Sequence, residues 1–365
     1  MNEKPLLACP PSVFAVEGDY QICALVSAEC TMWVEVGGAE YFDHSNGVLR
    51  SGRFVHIARV PVRNLDKARG YTVCLRRIVE RKPYFTECGE IERYEFVFRP
   101  VRDKDVIRVV NLADAHNCVA APIASGSFFG DKLDLLVLNG DIPNHSGDVA
   151  FFKAIYQIAG GITGGRVPCV FSRGNHDMRG ICAEQLVDYT PNDRGRSYFT
   201  FRLGPVWGIV LDAGEDKVDE CPEYGHTVCC AAFRREEEAF LDRVIRERPW
   251  EGARIRLIVS HHPFAYQIKP PFDIEKELYA RWCRKLRGIK ATAWLSGHLH
   301  ECFVELPGEA HDTYGYPCPM ICSSLVRATE KAGEEERHTS GAIQFRRDGS
   351  FSVDFPGAAR PHLEM

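Results

Sequence analysis

Five apolar runs in the latter two-thirds of the chain end abruptly in side chains that bind metals or move protons. "VIRVVNLA" (106–113) runs into Asp114 and His116, and "LDLLVLNG" (133–140) delivers Asp141. "VPCVFSRG" (167–174) is followed by Asn175, His176 and Asp177, "RIRLIVS" (254–260) by His261 and His262, and "ATAWLSG" (291–297) by His298 and His300. Short, mainly apolar runs of this kind read as buried strands. Helical segments lie between them. In "FRREEEAFLDRVIRER" (233–248), Phe233, Phe240, Leu241, Val244 and Ile245 form an apolar stripe, with the Glu and Arg residues expected on the wet side. In "IEKELYARWCRKLRG" (274–288), Leu278, Trp282 and Leu286 face in and Gly288 stands near the end. Alternating strands and helices predict an α/β layer architecture. In open α/β sheets, ligands bind outside the carboxyl ends of the strands, so five strands emptying there predict a single site.

The spacing fits one centre. Asp114-x-His116 and His298-x-His300 are two apart, which in extended backbone turns each pair the same way. Gly140, Gly174 and Gly297 stand where a strand must turn sharply beside a ligand. Crowded polar groups at a buried strand end are costly unless they meet a partner, and a metal ion suits these donor types. Asp114, His116, Asp141, Asn175, His261, His298 and His300 are more ligands than one four-coordinate ion uses, and they suit two ions sharing a carboxylate. Two unit charges 4 Å apart repel by about 4 kcal/mol at an effective dielectric near 20, and two dications by roughly four times that. An anion must therefore lie between them, and Asp141 is the expected bridge. Such a centre keeps net positive charge, which suits a phosphate ester.

Residues 12–100 have a different texture. "YQICALV", "TMWVEV", "RFVHIARVPV", "YTVCLRRIV" and "RYEFVFR" are short strands punctuated by Gly37-Gly38, Asn46-Gly47 and Arg69-Gly70, which predicts a small antiparallel β-sandwich over residues 1–103. Pro100 and the charge run in "FRPVRDKD" mark the boundary with a second domain over 104–365, whose tail 341–355 reads as a hairpin about Asp348-Gly349. Lys and Arg number 45 against 50 Asp and Glu, a net charge of −5, which argues against a nucleic-acid or membrane partner. No run of about 18 apolar residues and no leader of secretory type is present, so a cytoplasmic setting is expected. The 15 cysteines are scattered without a C-x-x-C pair and read as reduced thiols.

D-x-H at 114–116, G-D at 140–141, G-N-H-D at 174–177, H-x-P at 261–263 and G-H-x-H at 297–300, in this order, resemble the calcineurin-like metallophosphoesterase superfamily. The likeness covers roughly residues 104–356. It implies a two-sheet αββα sandwich with a dinuclear centre at one edge, preceded here by the smaller all-β domain. Carried over, one ion takes Asp114, His116, Asp141 and His300, and the other takes Asp141, Asn175, His261 and His298. His176 corresponds to the imidazole that assists the leaving group, and Asp177 would orient its ring. The first domain resembles, more weakly, the fibronectin-III-like domain of plant-type purple acid phosphatases, through "WVEVGGAEY" (33–41) and "YEFVFRP" (94–100). Those enzymes hold iron through a tyrosine three residues after the bridging aspartate, where this chain has Asn144, so a tyrosinate-ferric centre is not expected.

The resemblance implies a phosphatase or phosphodiesterase that attacks phosphorus with a metal-bridging hydroxide, using two divalent or trivalent transition-metal ions (Mn, Fe or Zn foremost). The expected substrate is a phosphate ester on a small molecule or a phosphoprotein. A nuclease of the same superfamily and a non-catalytic interaction module are the alternatives. Asn144, Arg173, Tyr224 and His226 are the candidate substrate contacts, the last two on the aperiodic segment 214–233 that would cap the cleft. Arg173 reads equally as one half of a carboxylate pair.

Overall fold

The computed structural model describes residues 4–266, 269–327, 337–356 and 362–365. Among these, two large sheets face each other. The first has nine strands, in the order His362–Glu364, Phe351–Asp354, Gly341–Arg346, Val106–Leu112, Leu135–Asn139, Pro168–Ser172, Ser12–Val16, Asp19–Leu25 and Val55–Pro61. The second has six: Phe199–Leu203, Val206–Val210, Ile255–Val259, Ala293–Ser296, Met320–Ser323 and Cys302–Glu305. The three strands 106–112, 135–139 and 168–172 are mutually parallel, as are 255–259 and 293–296, so each sheet presents its carboxyl ends together.

Because every residue of the strands 135–139 and 168–172 is buried, both of their faces need cover. Ile107, Val109, Leu135, Val137 and Val170 share an apolar cluster with Leu257, Val259, Ala293, Leu295 and Ile321 of the other sheet. On the far face of the first sheet, Leu112, Leu136 and Leu138 pack with Ile155, Ile158 and Ala159 of the helix Lys153–Thr163. On the far face of the second, Ile209, Ile258 and Trp294 pack with Leu241 and Val244 of Cys230–Glu247 and with Leu278 and Trp282 of Lys276–Arg287. The layers run helix, sheet, sheet, helix. The expected hairpin is present as Gly341–Arg346 and Phe351–Asp354.

The strand-rich first part forms two layers. Ser12–Val16, Asp19–Leu25 and Val55–Pro61 make one, and Ala39–Phe42, Cys30–Val36, Gly70–Glu80 and Glu87–Val97 make the other. Val13, Ile22, Ala58 and Val60 meet Met32, Val34, Val73 and Leu75 between them. The parts before and after residues 103/104 do not have separate cores. Ser12–Val16 pairs in parallel with Pro168–Ser172, Val13 opposite Pro168 and Phe14 opposite Cys169. The sandwich layer therefore continues the large sheet, and both parts share one apolar cluster.

One reading of the helix Cys230–Glu247 needs correcting. Arg234 and Glu237, expected on the wet side, are buried. Positions 230, 234, 237, 241 and 244 follow the helical period; loop carbonyls satisfy Arg234, while Glu237 keeps one oxygen unpartnered and burial pushes its carboxyl well above the usual range. Arg234 donates to the carbonyl of Ala213 (2.7 Å) and to that of Glu215, while Glu237 accepts the Asp212 N–H (2.8 Å).

Candidate metal centre

The seven predicted ligands come together at the carboxyl ends of the five strands. Asp114, His116 and His300 offer donor atoms within 4.8 Å of one another, and Asp141, His261 and His298 form a second such group. Nε2 of His300, His261 and His116 lie 3.3, 3.8 and 3.9 Å from Asp114 Oδ1. Nε2 of His116 stands 3.2 Å from Nε2 of His300. In the second group His261 Nε2 is 3.1 Å from Asp141 Oδ2, and His298 Nδ1 is 3.0 Å from the Asn175 amide oxygen. His262, by contrast, is buried against Tyr279 and His298.

The backbone is bent to achieve this. Asp114, His116, Asp141, His298 and His300 all have positive φ, between 45° and 72°. Each such conformation in a non-glycine residue costs on the order of 1–3 kcal/mol, and clusters of them mark functional sites. The two D-x-H and H-x-H pairs thus converge through left-handed turns beyond the strand ends, not through extended backbone as the spacing suggested. Gly297 allows a close approach, since a Cβ there would sit 2.4 Å from Ala113 Cβ and 2.9 Å from Asp114 Oδ2.

Buried donors and acceptors are normally satisfied. Here Asp114 Oδ1, His116 Nδ1 and His261 Nε2 are buried without a hydrogen-bond partner. His261 Nδ1 donates to the Asn139 carbonyl (2.6 Å), which turns Nε2 and its lone pair toward the carboxylates. Burial works against the charge on Asp114 and Asp141, yet His261 outweighs it and both are held below the usual carboxylate range. Burial likewise pulls His261 down, but Asp141 and Asp114 raise it to about 10. His298 is pushed down to about 4 by burial and by His261. Two ionised carboxylates that press a neighbouring ring to supply positive charge, with Asp114 Oδ1 left unpartnered among histidine nitrogens, match a donor set built for a cation.

The remaining predicted residues divide. The His176 ring lies 4.7 Å from that of His116, and its Nδ1 donates to the Asn144 carbonyl (2.7 Å). Asp177 does not orient that ring. It is fully buried, and its Oδ2 accepts the N–H groups of Gly174 (2.6 Å) and Asp141 (3.3 Å), so it shapes the loop that carries Asp141. Burial and the Asp141 charge push its carboxyl up to about 8. Asn144 contributes through its backbone. Arg173 is committed to Asp212 (2.6 Å). Tyr224 is buried with its hydroxyl donating to Asp216 Oδ1 (2.9 Å), and His226 is exposed away from the cleft.

A cavity of about 430 Å3 opens over the centre, lined by Asp141, Asn175, His176, His298 and His300 together with Arg179, Asp216, Lys217, Tyr266, Lys269 and Phe272. None of the latter six was singled out from sequence. They lie on turns without periodicity, and the segment 214–233 was read for its length while its first four residues carry the contacts.

A family model of the calcineurin-like phosphoesterases matches residues 107–302. The chain belongs to this family. It is a metal-dependent phosphoric ester hydrolase on that ground. No protein of curated function matches it. Among solved structures, the chain is similar to a purple acid phosphatase from seeds of yellow lupin (Lupinus luteus), at 12% identity and a TM-score of 0.62, over 97% of this chain and 73% of that one. It is also similar to PhoD, at 11% identity and a TM-score of 0.56, over 100% and 93%. At these identities the likeness is one of fold, and it extends across the strand-rich first part. No helix among the described residues is long and apolar enough to cross a membrane.

Proposed function

We propose that the chain hydrolyses phosphate mono- or diesters of a small molecule or phosphoprotein at a dinuclear centre. One ion is assigned to Asp114, His116, Asp141 and His300, the other to Asp141, Asn175, His261 and His298. The observation that carries this reading is the pair of three-residue donor groups, Asp114 with His116 and His300 and Asp141 with His261 and His298, which meet where His261 Nε2 and Asp114 Oδ1, both buried without a hydrogen-bond partner, stand 3.8 Å apart. When bound, such ions neutralise phosphate oxygens and bring the pKa of water toward neutrality.

The chain's own groups supply the rest. His176, held through Nδ1 by the Asn144 carbonyl, keeps Nε2 free to exchange a proton with a departing oxygen at the cleft. Lys269 puts positive charge on the cavity wall, while Lys217 is paired with Asp216 and Glu223, and Phe272 and Tyr266 offer flat apolar surface to the leaving group. The β-sandwich of residues 1–103 braces the sheet that carries Asn175.

The test is hydrolysis of p-nitrophenyl phosphate and of its bis ester by the full chain, with elemental analysis of protein purified without added metal. About two metal equivalents and turnover that Asp141→Asn abolishes are expected. A metal-free protein inert after addition of Mn²⁺, Zn²⁺ and Fe²⁺ would sink the proposal.

A further inference from the structure

Asp216 lies deep in the cleft wall and has no part in the chemistry described so far. It is 6% exposed and lines the cavity beside Asn175 and His298. Its two oxygens have different surroundings. Oδ1 accepts from the Tyr224 hydroxyl (2.9 Å) and Lys217 Nζ (3.3 Å), with Arg179 Nη2 at 3.9 Å. Oδ2 is 3.5 Å from Nε2 of His298. The adjoining backbone is pinned as well. Arg234 donates to the carbonyls of Ala213 and Glu215, and Arg179 forks onto the Glu215 carboxylate at 2.7 and 2.8 Å.

The other ring nitrogen of His298, Nδ1, lies 3.0 Å from the amide oxygen of Asn175. That oxygen has no proton to give. Either Nδ1 carries the ring proton and donates it to Asn175, or Nδ1 is bare and both atoms face a shared cation. Which tautomer prevails depends on what the opposite nitrogen meets. A carboxylate at Nε2 favours the proton there, and Asp216 Oδ2 is that carboxylate.

We infer that Asp216 is a positioning residue: it keeps the His298 proton on Nε2 and so leaves Nδ1 as the nitrogen that takes the metal with Asn175. Tyr224 and Lys217 hold the carboxylate in register, which gives the segment 216–224 a function without direct substrate contact. This inference rests on the dinuclear reading and adds a partner to one of its ligands.

The experiment titrates metal-stripped full-length protein with Zn²⁺ against a chromogenic chelator and with Co²⁺ by its visible spectrum. It also reads His298 in ¹⁵N-histidine-labelled, Zn-loaded protein by NMR. Asp216→Asn should weaken one of the two sites about 10–100-fold and leave the other unchanged. The ¹⁵N pattern of His298 should shift from protonated Nε2 toward a mixture. Tyr224→Phe, which frees one corner of the carboxylate, should weaken the same site less. An unchanged affinity and tautomer in Asp216→Asn would overturn the inference. So would loss of that metal as complete as in His298→Ala, because Asp216 would then be a ligand itself. Wild-type protein that takes up no metal would instead refute the dinuclear reading, and the Asp216 role would fall with it. Equal thermal unfolding of the metal-free wild type and Asp216→Asn separates these outcomes from misfolding.

Discussion

Adding one methyl group at Gly174 should disable the centre without touching a ligand. A Cβ built there would stand 2.1 Å from Asp141 Oδ1, 2.4 Å from its backbone nitrogen and 2.9 Å from Cγ. Ordinary contact begins near 3.4 Å, so the shortest of these must open by about 1.3 Å (3.4 − 2.1). Asp141 has little room to comply. Its φ is +52°, its Oδ1 accepts the His176 N–H (2.8 Å), and Asp177 holds both its own N–H and that of Gly174. Overpacking of this kind costs about 1–3 kcal/mol, and a displacement of about 1 Å at a reacting centre costs on the order of 100-fold in rate. Gly174→Ala should therefore lower kcat/KM on p-nitrophenyl phosphate by on the order of 100-fold, lose metal by elemental analysis and melt at a lower Tm. Gly52, with nothing within 4 Å of its would-be Cβ, is the control, and Gly52→Ala should match the wild type. If Gly174→Ala keeps its full metal content and a kcat/KM within about threefold, close approach at Gly174 is not what places Asp141, and the steric reasoning fails.

Other perturbations have equally definite outcomes. His176→Ala should lower kcat about 100-fold while elemental analysis finds the metal content unchanged, because only the backbone N–H of this residue supports Asp141. Chelator treatment should lower Tm by calorimetry, since metal at about 100 times its Kd stabilises the folded state by about 2.7 kcal/mol. Glu238, which joins Arg281 (3.0 Å) and Lys285 (2.9 Å) across two helices, has its carboxyl pulled from 4.5 to about 2, first by the Arg281 hydrogen bonds. A lowered carboxyl pKa contributes stability above the ordinary value and loses it as the pH falls. The Tm advantage of the wild type over Glu238→Gln should thus be full above pH 4.5 and vanish toward pH 2. Because both cations of the cluster reach solvent, Arg281 most of all, screening should keep that advantage to about 1 kcal/mol.

The centre was legible because its chemistry is local. Each apolar run ends in its ligands within a few residues, so a strand assignment alone places Asp114, Asp141, Asn175, His261 and His298 at one edge. What lay beyond the sequence depended on three-dimensional company. Tyr224 and Arg173 are polar and near the motifs, yet each is spent on a carboxylate that folding delivers from elsewhere, Asp216 for one and Asp212 for the other. Arg234 and Glu237 look like wet-face residues because side-chain type says nothing about the loop carbonyls and N–H groups waiting above the helix. Asp177 follows His176 in sequence, but the short helical turn at 176–178 carries it under the loop, where backbone amides claim it. The cleft wall at Lys217, Lys269 and Phe272 has no period or motif at all.

The same distinction explains the tie between the β-sandwich and the centre. A strand-rich segment with its own turns reads as a separable domain, because hydrogen bonding between sheets leaves no mark on composition. In the fold, Ser12–Val16 occupies the flank of Pro168–Ser172 that would otherwise be an open edge, and an unpaired edge strand both frays and recruits foreign strands. That strand leads within three residues to Asn175 and within four to His176. Five ligand residues in left-handed backbone, at on the order of 1–3 kcal/mol each, can persist only where the strands beneath them are over-determined by packing. The sandwich supplies that rigidity on one side, as the strand Leu135–Asn139 does on the other. Val13, Val170 and Leu257, from the sandwich and from the two facing sheets, belong to one apolar cluster, so the support reaches from residue 13 to the strand Ile255–Val259, two residues before His261.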